Sequence, residues 1–249
     1  MRKRWLWSIG LGVGLITLWP SPAHAMHVSE GILPPAWAGL WFAVAVPFLA
    51  WGLHVIKGRR AQDSRYMALL AMVGSAVFVI SCMPIPVPVA GSCSHPCGTG
   101  LAAILVGPAP TIVIASIALL FQALFMAHGG LTTLGANIVS MGILGALSGY
   151  AAFHLVRRLG GPASVAAFAA GVGGDWATYA GTSFTLASAL HGNGSMWAMF
   201  AAVLVAFVPT QVPLGVLEGA LSTVAYNFIV SRRPELLRSA TLPVERVQP

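Results

Sequence analysis

A chain of 249 residues that is 57% hydrophobic and only 8% charged lies far from soluble domains, where about a quarter of residues carry charge. Together with a mean hydropathy of +0.82, this excludes an ordinary soluble enzyme and predicts an all-α, polytopic membrane helix bundle. The formal charge of +7 is gathered at residues 2–4, 57–65, 157–158 and 232–238, as at the cytoplasmic ends of membrane helices rather than on a nucleic-acid surface.

The first 25 residues have the three parts of an export leader: Arg2-Lys3-Arg4, an apolar core from Trp5 to Trp19, and the small-x-small ending Ala23-His24-Ala25. Cleavage after Ala25 is therefore expected. An uncleaved first span would leave that ending unexplained, and the apolar core is short for a crossing. The mature protein, 26–249, is then a single membrane domain that begins outside at Met26. From there residues 36–56 cross inward to the basic stretch 57–65. Residues 67–83 return outward into the proline-rich run MPIPVPVAGSCSHPCG, which proline keeps from being helical. Residues 98–106 are too short to span, and GPAP at 107–110 separates them from a helix over 111–127, a broken helical hairpin. Irregular backbone at membrane depth needs protein or a polar cavity around it, so a binding site is expected inside the bundle here.

Residues 135–155 run inward to Arg157 and Arg158, with Gly145 and Gly149 spaced for a close helix crossing. Residues 162–190 go outward, and 196–230 return inward, interrupted at Pro209 and Pro213. A terminus outside and a basic tail inside require an odd number of spans. About seven transmembrane helices are expected, the last partly broken.

Titratable groups in this apolar background are costly unless paired or functional. They are Glu30, His54, His95, His128, His154, Asp175, His191 and Glu218. His54 and His154 sit near basic inner ends, and His191 lies in the polar link HGNGS; these read as interfacial or solvated. His128 in FMAHGG reads equally as a satisfied core imidazole. No H-E-x-x-H, Walker A or G-x-S-x-G motif occurs.

Cleavage before Met26 would create an unusual donor set. The new α-amine, the amide nitrogen of His27 and the His27 imidazole can close fused chelate rings around one ion, three nitrogens in one plane. A remote imidazole would complete that plane, and His95 in the outward loop is best placed. Planar nitrogen sites characterise Ni(II) and Cu(II), and cobalt can use the same donors. The bland alternative is that His27 is a solvated loop residue.

The stretch MHVSEGILPP, residues 26–35, resembles the mature N-terminal signature of the cobalt/nickel substrate-binding S components (CbiM/NikM type) of energy-coupling factor transporters. GSCSHPCGTGLAAILVGP (91–108), FQALFMAHGGLTTLGANIVSMGILG (121–145) and VPLGVLEGALSTVAYNFIV (212–230) agree with that family in order. The resemblance implies metal ligation by Met26, His27 and His95. It also implies hydrogen-bonding or structural support from Glu30, His128 and Asn137, the last bracing the N-terminal segment. Glu218 reads as a structural pair at least as readily as a transport residue. Cys93 and Cys97 flank His95 where the family commonly has no cysteine. A disulfide or simple packing ranks above soft ligation for them.

What the family implies for function is capture of Co2+ or Ni2+ as substrate, with no organic cofactor and no nucleic acid. The chain would sit in the inner membrane with its mature N-terminus outside and its C-terminus cytoplasmic. Its partners would be a transmembrane scaffold subunit, two ATPase subunits and, in some assemblies, a small auxiliary membrane subunit. The competing class is a metal-dependent membrane enzyme or metal sensor, with copper or zinc as the ion.

Overall fold

The structure, a computed structural model, describes residues 27–63, 65–83, 85–87 and 92–232. The leader, Met26 and most of the basic tail lie outside these residues. Seven helices run through the described chain: α1 (Pro35–Gln62), α2 (Tyr66–Ser81), α3 (Thr99–Val106), α4 (Pro108–Phe125), α5 (Leu134–Arg158), α6 (Ala163–Leu190) and α7 (Met196–Arg232). Four of them, α1, α4, α5 and α7, are long and apolar enough to cross a membrane. α2 is a shorter apolar helix. α6 matches α1 at 28 residues, but turns Asp175, Thr178, Thr182, Ser183, Thr185 and Ser188 into the protein interior. Outward-facing Val46, Leu53, Met72, Val79, Phe125, Val205, Val224 and Phe228 are exposed, as a lipid-facing surface requires. The chain is a multi-pass membrane protein.

The helical expectation holds with one addition. The proline-rich run folds back as two three-residue antiparallel strands, β1 (Ile85–Val87) and β2 (Ser92–Ser94), with Pro86 opposite Cys93. Proline excludes helix but tolerates an edge strand, and the hairpin delivers Ser94 and His95 to the bundle.

The broken hairpin is present, and its break is narrower than GPAP. Gly107 alone interrupts the path at φ +89°, and α4 begins at Pro108. Proline at the first helical position loses no hydrogen bond, because that N–H has no intrahelical partner. At the same turn the Arg59 guanidinium donates to the Val106 carbonyl, so the basic end of α1 closes the C-terminal end of α3. α7 differs from expectation. It continues through Pro209 and Pro213 over 37 residues, and at about 1.5 Å per residue it outreaches the hydrocarbon core of roughly 30 Å.

The interior is built on small residues. A Cβ on Gly100 of α3 would lie 2.2 Å from the Ala170 carbonyl oxygen of α6, and one on Gly149 of α5 would lie 2.6 Å from the Gly100 Cα. The predicted Gly145/Gly149 face therefore meets α3 and α6 at backbone contact. α5 is π-helical over Ile138–Gly145. The wider turn begins directly after Asn137, and such segments are common near functional sites.

Candidate metal centre

Three imidazoles converge near the N-terminal end of α3. His27 lies before α1, His95 between β2 and α3, and His128 just after α4. One ring nitrogen from each lies within 4.8 Å of the others. His27 and His95 are almost fully buried, at 1% and 0% exposure. Their Nε2 atoms are 3.2 Å apart.

Each histidine is delivered by a specific local device. The N-terminal segment is clamped through its backbone: Asn137 Oδ1 accepts the Val28 N–H at 2.8 Å, and Asn137 Nδ2 donates to the Val28 carbonyl at 3.1 Å. Thr133 Oγ1 donates to the same carbonyl at 2.5 Å. Buried Val28 and Leu33 anchor the segment apolarly. His95 is held by the Tyr179 hydroxyl, which donates to its carbonyl at 3.4 Å, and by Gln211 Nε2, which donates to Ser94 Oγ. Beyond it, the Glu218 carboxylate accepts the N–H groups of Cys97 at 2.6 Å and Gly98 at 2.9 Å. These are the free donors at the start of α3. His128 is turned inward by Ala127, whose φ of +49° is a left-handed conformation that costs a non-glycine residue about 1 kcal/mol.

The network sets the proton positions. His95 Nδ1 lies 3.0 Å from the Pro96 carbonyl, so it carries the proton and leaves a lone pair on Nε2. Gln122 Nε2 donates to Ser81 Oγ at 2.8 Å, which leaves its Oε1 to accept from His27 Nε2 at 3.2 Å. His27 then has its lone pair on Nδ1. His128 Nε2 is buried and has no hydrogen-bond partner. Burial holds all three rings neutral. His95 is pushed down to about 3, by burial first and then by repulsion from His128. His27 is lowered well below its ordinary value by burial, then by His95 and His128. His128 is lowered by burial. Neutral imidazoles with free lone pairs are what a transition cation requires.

Among the anticipated site residues, His27 and His95 meet, and Met26 lies outside the described residues. His128, anticipated as support, brings a ring nitrogen within 4.8 Å of one from each. Asn137 makes the anticipated brace. Glu30 does not enter the pocket. It is exposed, and the Thr132 hydroxyl first and then the Thr132 N–H, at 3.1 Å, depress its carboxyl and staple the segment to the loop before α5. Cys97 is a free, buried thiol rather than half of a disulfide. Sequence reading missed Gln122, although a lone amide in TIVIASIALLFQALF was a visible signal. It also missed Thr133, and the meeting of Cys97 with Asp175 and Glu218.

Residues 27–236 match the family model CbiM, described as cobalt uptake substrate-specific transmembrane region. The chain is 56% identical over 212 residues to a cobalt transport protein CbiM of Sorangium cellulosum, covering 85% of this chain and 94% of that one. It is 52% identical over 237 residues to its namesake in Geobacter sulfurreducens, covering 95% and 68%. A crystal structure described as a transition metal transporter superposes with a TM-score of 0.72 at 22% identity, covering 86% of this chain and 98% of that one, a likeness of fold. With the histidine pocket, the clamped N-terminal segment and the helix bundle all falling inside the matched region, the chain belongs to the CbiM family of cobalt uptake transmembrane proteins.

Proposed function

We propose that this protein captures cobalt or nickel ions for an ATP-driven uptake transporter. The ion is bound by the amine of Met26 after leader cleavage, by the amide nitrogen and imidazole of His27, and by the imidazole of His95. The observation that carries this reading is the buried His27–His95 pair, Nε2 atoms 3.2 Å apart, beside the expected cleavage point. Relatives named cobalt transport proteins support cobalt as the substrate.

The chelate has a geometric demand. An ion held by the His27 amide nitrogen is reached by Nδ1 of the same ring, which closes a small ring, and not by Nε2. The hydrogen bond to Gln122 leaves Nδ1 with the lone pair, but Nε2 is the atom turned toward His95. Binding therefore turns the His27 ring about its side-chain bonds. His128 stands in reserve, at a ring-centroid distance of 4.8 Å from His27, to orient or cover the ion.

The mature domain, 26–249, sits in the inner membrane with about seven spans, terminus outside and tail inside. The histidine pocket and the Arg59 contact lie at opposite ends of α3, an arrangement consistent with capture from outside. No nucleotide-binding motif is present, so ATP-hydrolysing partners and a scaffold subunit supply the work, with or without an auxiliary subunit. Calorimetric titration of the mature protein with CoCl2 and NiCl2 tests the proposal. Acetylation of the terminal amine, His27→Ala and His95→Ala should each remove one tightly bound ion; undiminished binding in any of the three contradicts it.

A further inference from the structure

A second donor cluster lies just inward of the histidine pocket. Cys97 Sγ, a carboxylate oxygen of Asp175 and one of Glu218 lie within 4.8 Å of one another, and all three residues are buried. They come from three elements: Cys97 from the turn into α3, Asp175 from α6 and Glu218 from α7. The Cys97 Sγ–Asp175 Oδ1 distance is 3.8 Å.

Three features separate this cluster from a chance meeting of acids. First, Asp175 is fully buried and its Oδ2 has no hydrogen-bond partner, an arrangement costly for a carboxylate unless a cation or proton completes it. Second, the donors are mixed, one sulfur with carboxylate oxygens. Third, the cluster adjoins the histidine pocket. Cys97 follows His95 by two residues, at most about 7 Å of backbone, and Tyr179, one helical turn after Asp175, touches the His95 carbonyl. Unpartnered buried oxygens continue nearby at Thr99 and Gln211.

Glu218 already holds the α3 N–H groups, so its oxygens are fixed and its role is partly architectural. Asp175 is less tied: its Oδ1 accepts the long contact from the Cys97 thiol, its carboxyl meets that of Glu218, and its Oδ2 takes no N–H or O–H donor. A thiolate with two carboxylates suits a divalent transition cation better than magnesium or calcium, which prefer oxygen-only sites.

We propose that Cys97, Asp175 and Glu218 form a second transition-metal site that receives the ion inward of the histidine pocket. It deepens the capture reading and rests on it for its place in the path, though not for its existence. Binding releases the thiol proton. The alternative occupant is a proton shared between the two carboxyls, which predicts no metal.

CoCl2 titration of the full mature protein in nanodiscs distinguishes them, reading bound cobalt by elemental analysis and the near-ultraviolet thiolate-to-cobalt charge-transfer band. The wild type should show the band. His27→Ala should lose one bound ion and keep the band. Cys97→Ser should lose the band and keep the histidine-bound ion, which also shows that the variant is folded. Asp175→Asn should need roughly ten- to a hundredfold more cobalt for the same band. A wild type that binds one ion, lost with His27→Ala and accompanied by no band, overturns the second site and leaves capture standing. A band in a protein whose cobalt content is unchanged by His27→Ala contradicts capture and leaves the second site.

Discussion

Asn137 braces the segment that carries His27, because one amide satisfies both polar groups of Val28. Asn137→Ala leaves a buried N–H and weakens the hold on a buried C=O, at a cost of roughly 1–3 kcal/mol. Thermal unfolding should show the loss, and cobalt affinity should fall with it because His27 adjoins the clamp; an unchanged melting temperature and affinity would refute the role. The histidines give a pH dependence of definite sign. Each is depressed when folded, so above the ordinary value of about 6.5 folded and unfolded chains are equally deprotonated and stability is complete. As pH falls below that value the unfolded chain takes up protons that the pocket refuses, and stability declines down to the folded value, about 3 for His95. Melting of the metal-free protein at pH 7, 6 and 5 checks this; a flat or rising series contradicts it. At this scale the sequence was half legible. His27 and His95 were readable because histidine is conspicuous in an apolar chain. Gln122, Thr133 and the Asp175 cluster act across separations of 95, 105 and 78 residues, which no local pattern encodes.

Helix crossings in this protein depend on missing side chains. Gly100→Ala places a Cβ against the Ala170 backbone oxygen, an atom that cannot rotate away, and overpacking of this kind costs about 1–3 kcal/mol. Gly39 on α1 meets nothing within 4 Å, so Gly39→Ala should be neutral or slightly stabilising. Paired detergent melts of the two variants test the argument, and equal melting temperatures would sink it. The Gly145/Gly149 spacing announced this crossing in the sequence. The Gly107 break was placed too broadly, because prolines at 108 and 110 look like breakers until they are seen in a first turn, where they belong. Pro209 and Pro213 misled in the other direction: α7 keeps its path because its neighbours hold it, as membrane helices allow. The strand pair was invisible for a different reason, since three residues on each side give too little alternation to read.

On the scale of the whole molecule, the histidine cluster lies at the N-terminal end of α3 and the Arg59 guanidinium at its C-terminal end, so the two ends of the helix differ in chemistry. Hydropathy conveyed the multi-pass helical bundle from the sequence, since apolar helices follow from burial in lipid. In cells that carry the ATPase and scaffold partners, Asp175→Asn should lower radiolabelled cobalt uptake while capture affinity in the purified protein stays unchanged; equal uptake would remove the inner cluster from the path. The central claim is that export processing exposes the amine that completes the histidine site. Native mass spectrometry of the cobalt-loaded protein extracted from membranes tests it most directly. The ion of the histidine site, the one lost with His27→Ala, should travel only with the species beginning at Met26, and an ion of that kind on a chain that still carries residues 1–25 would contradict it.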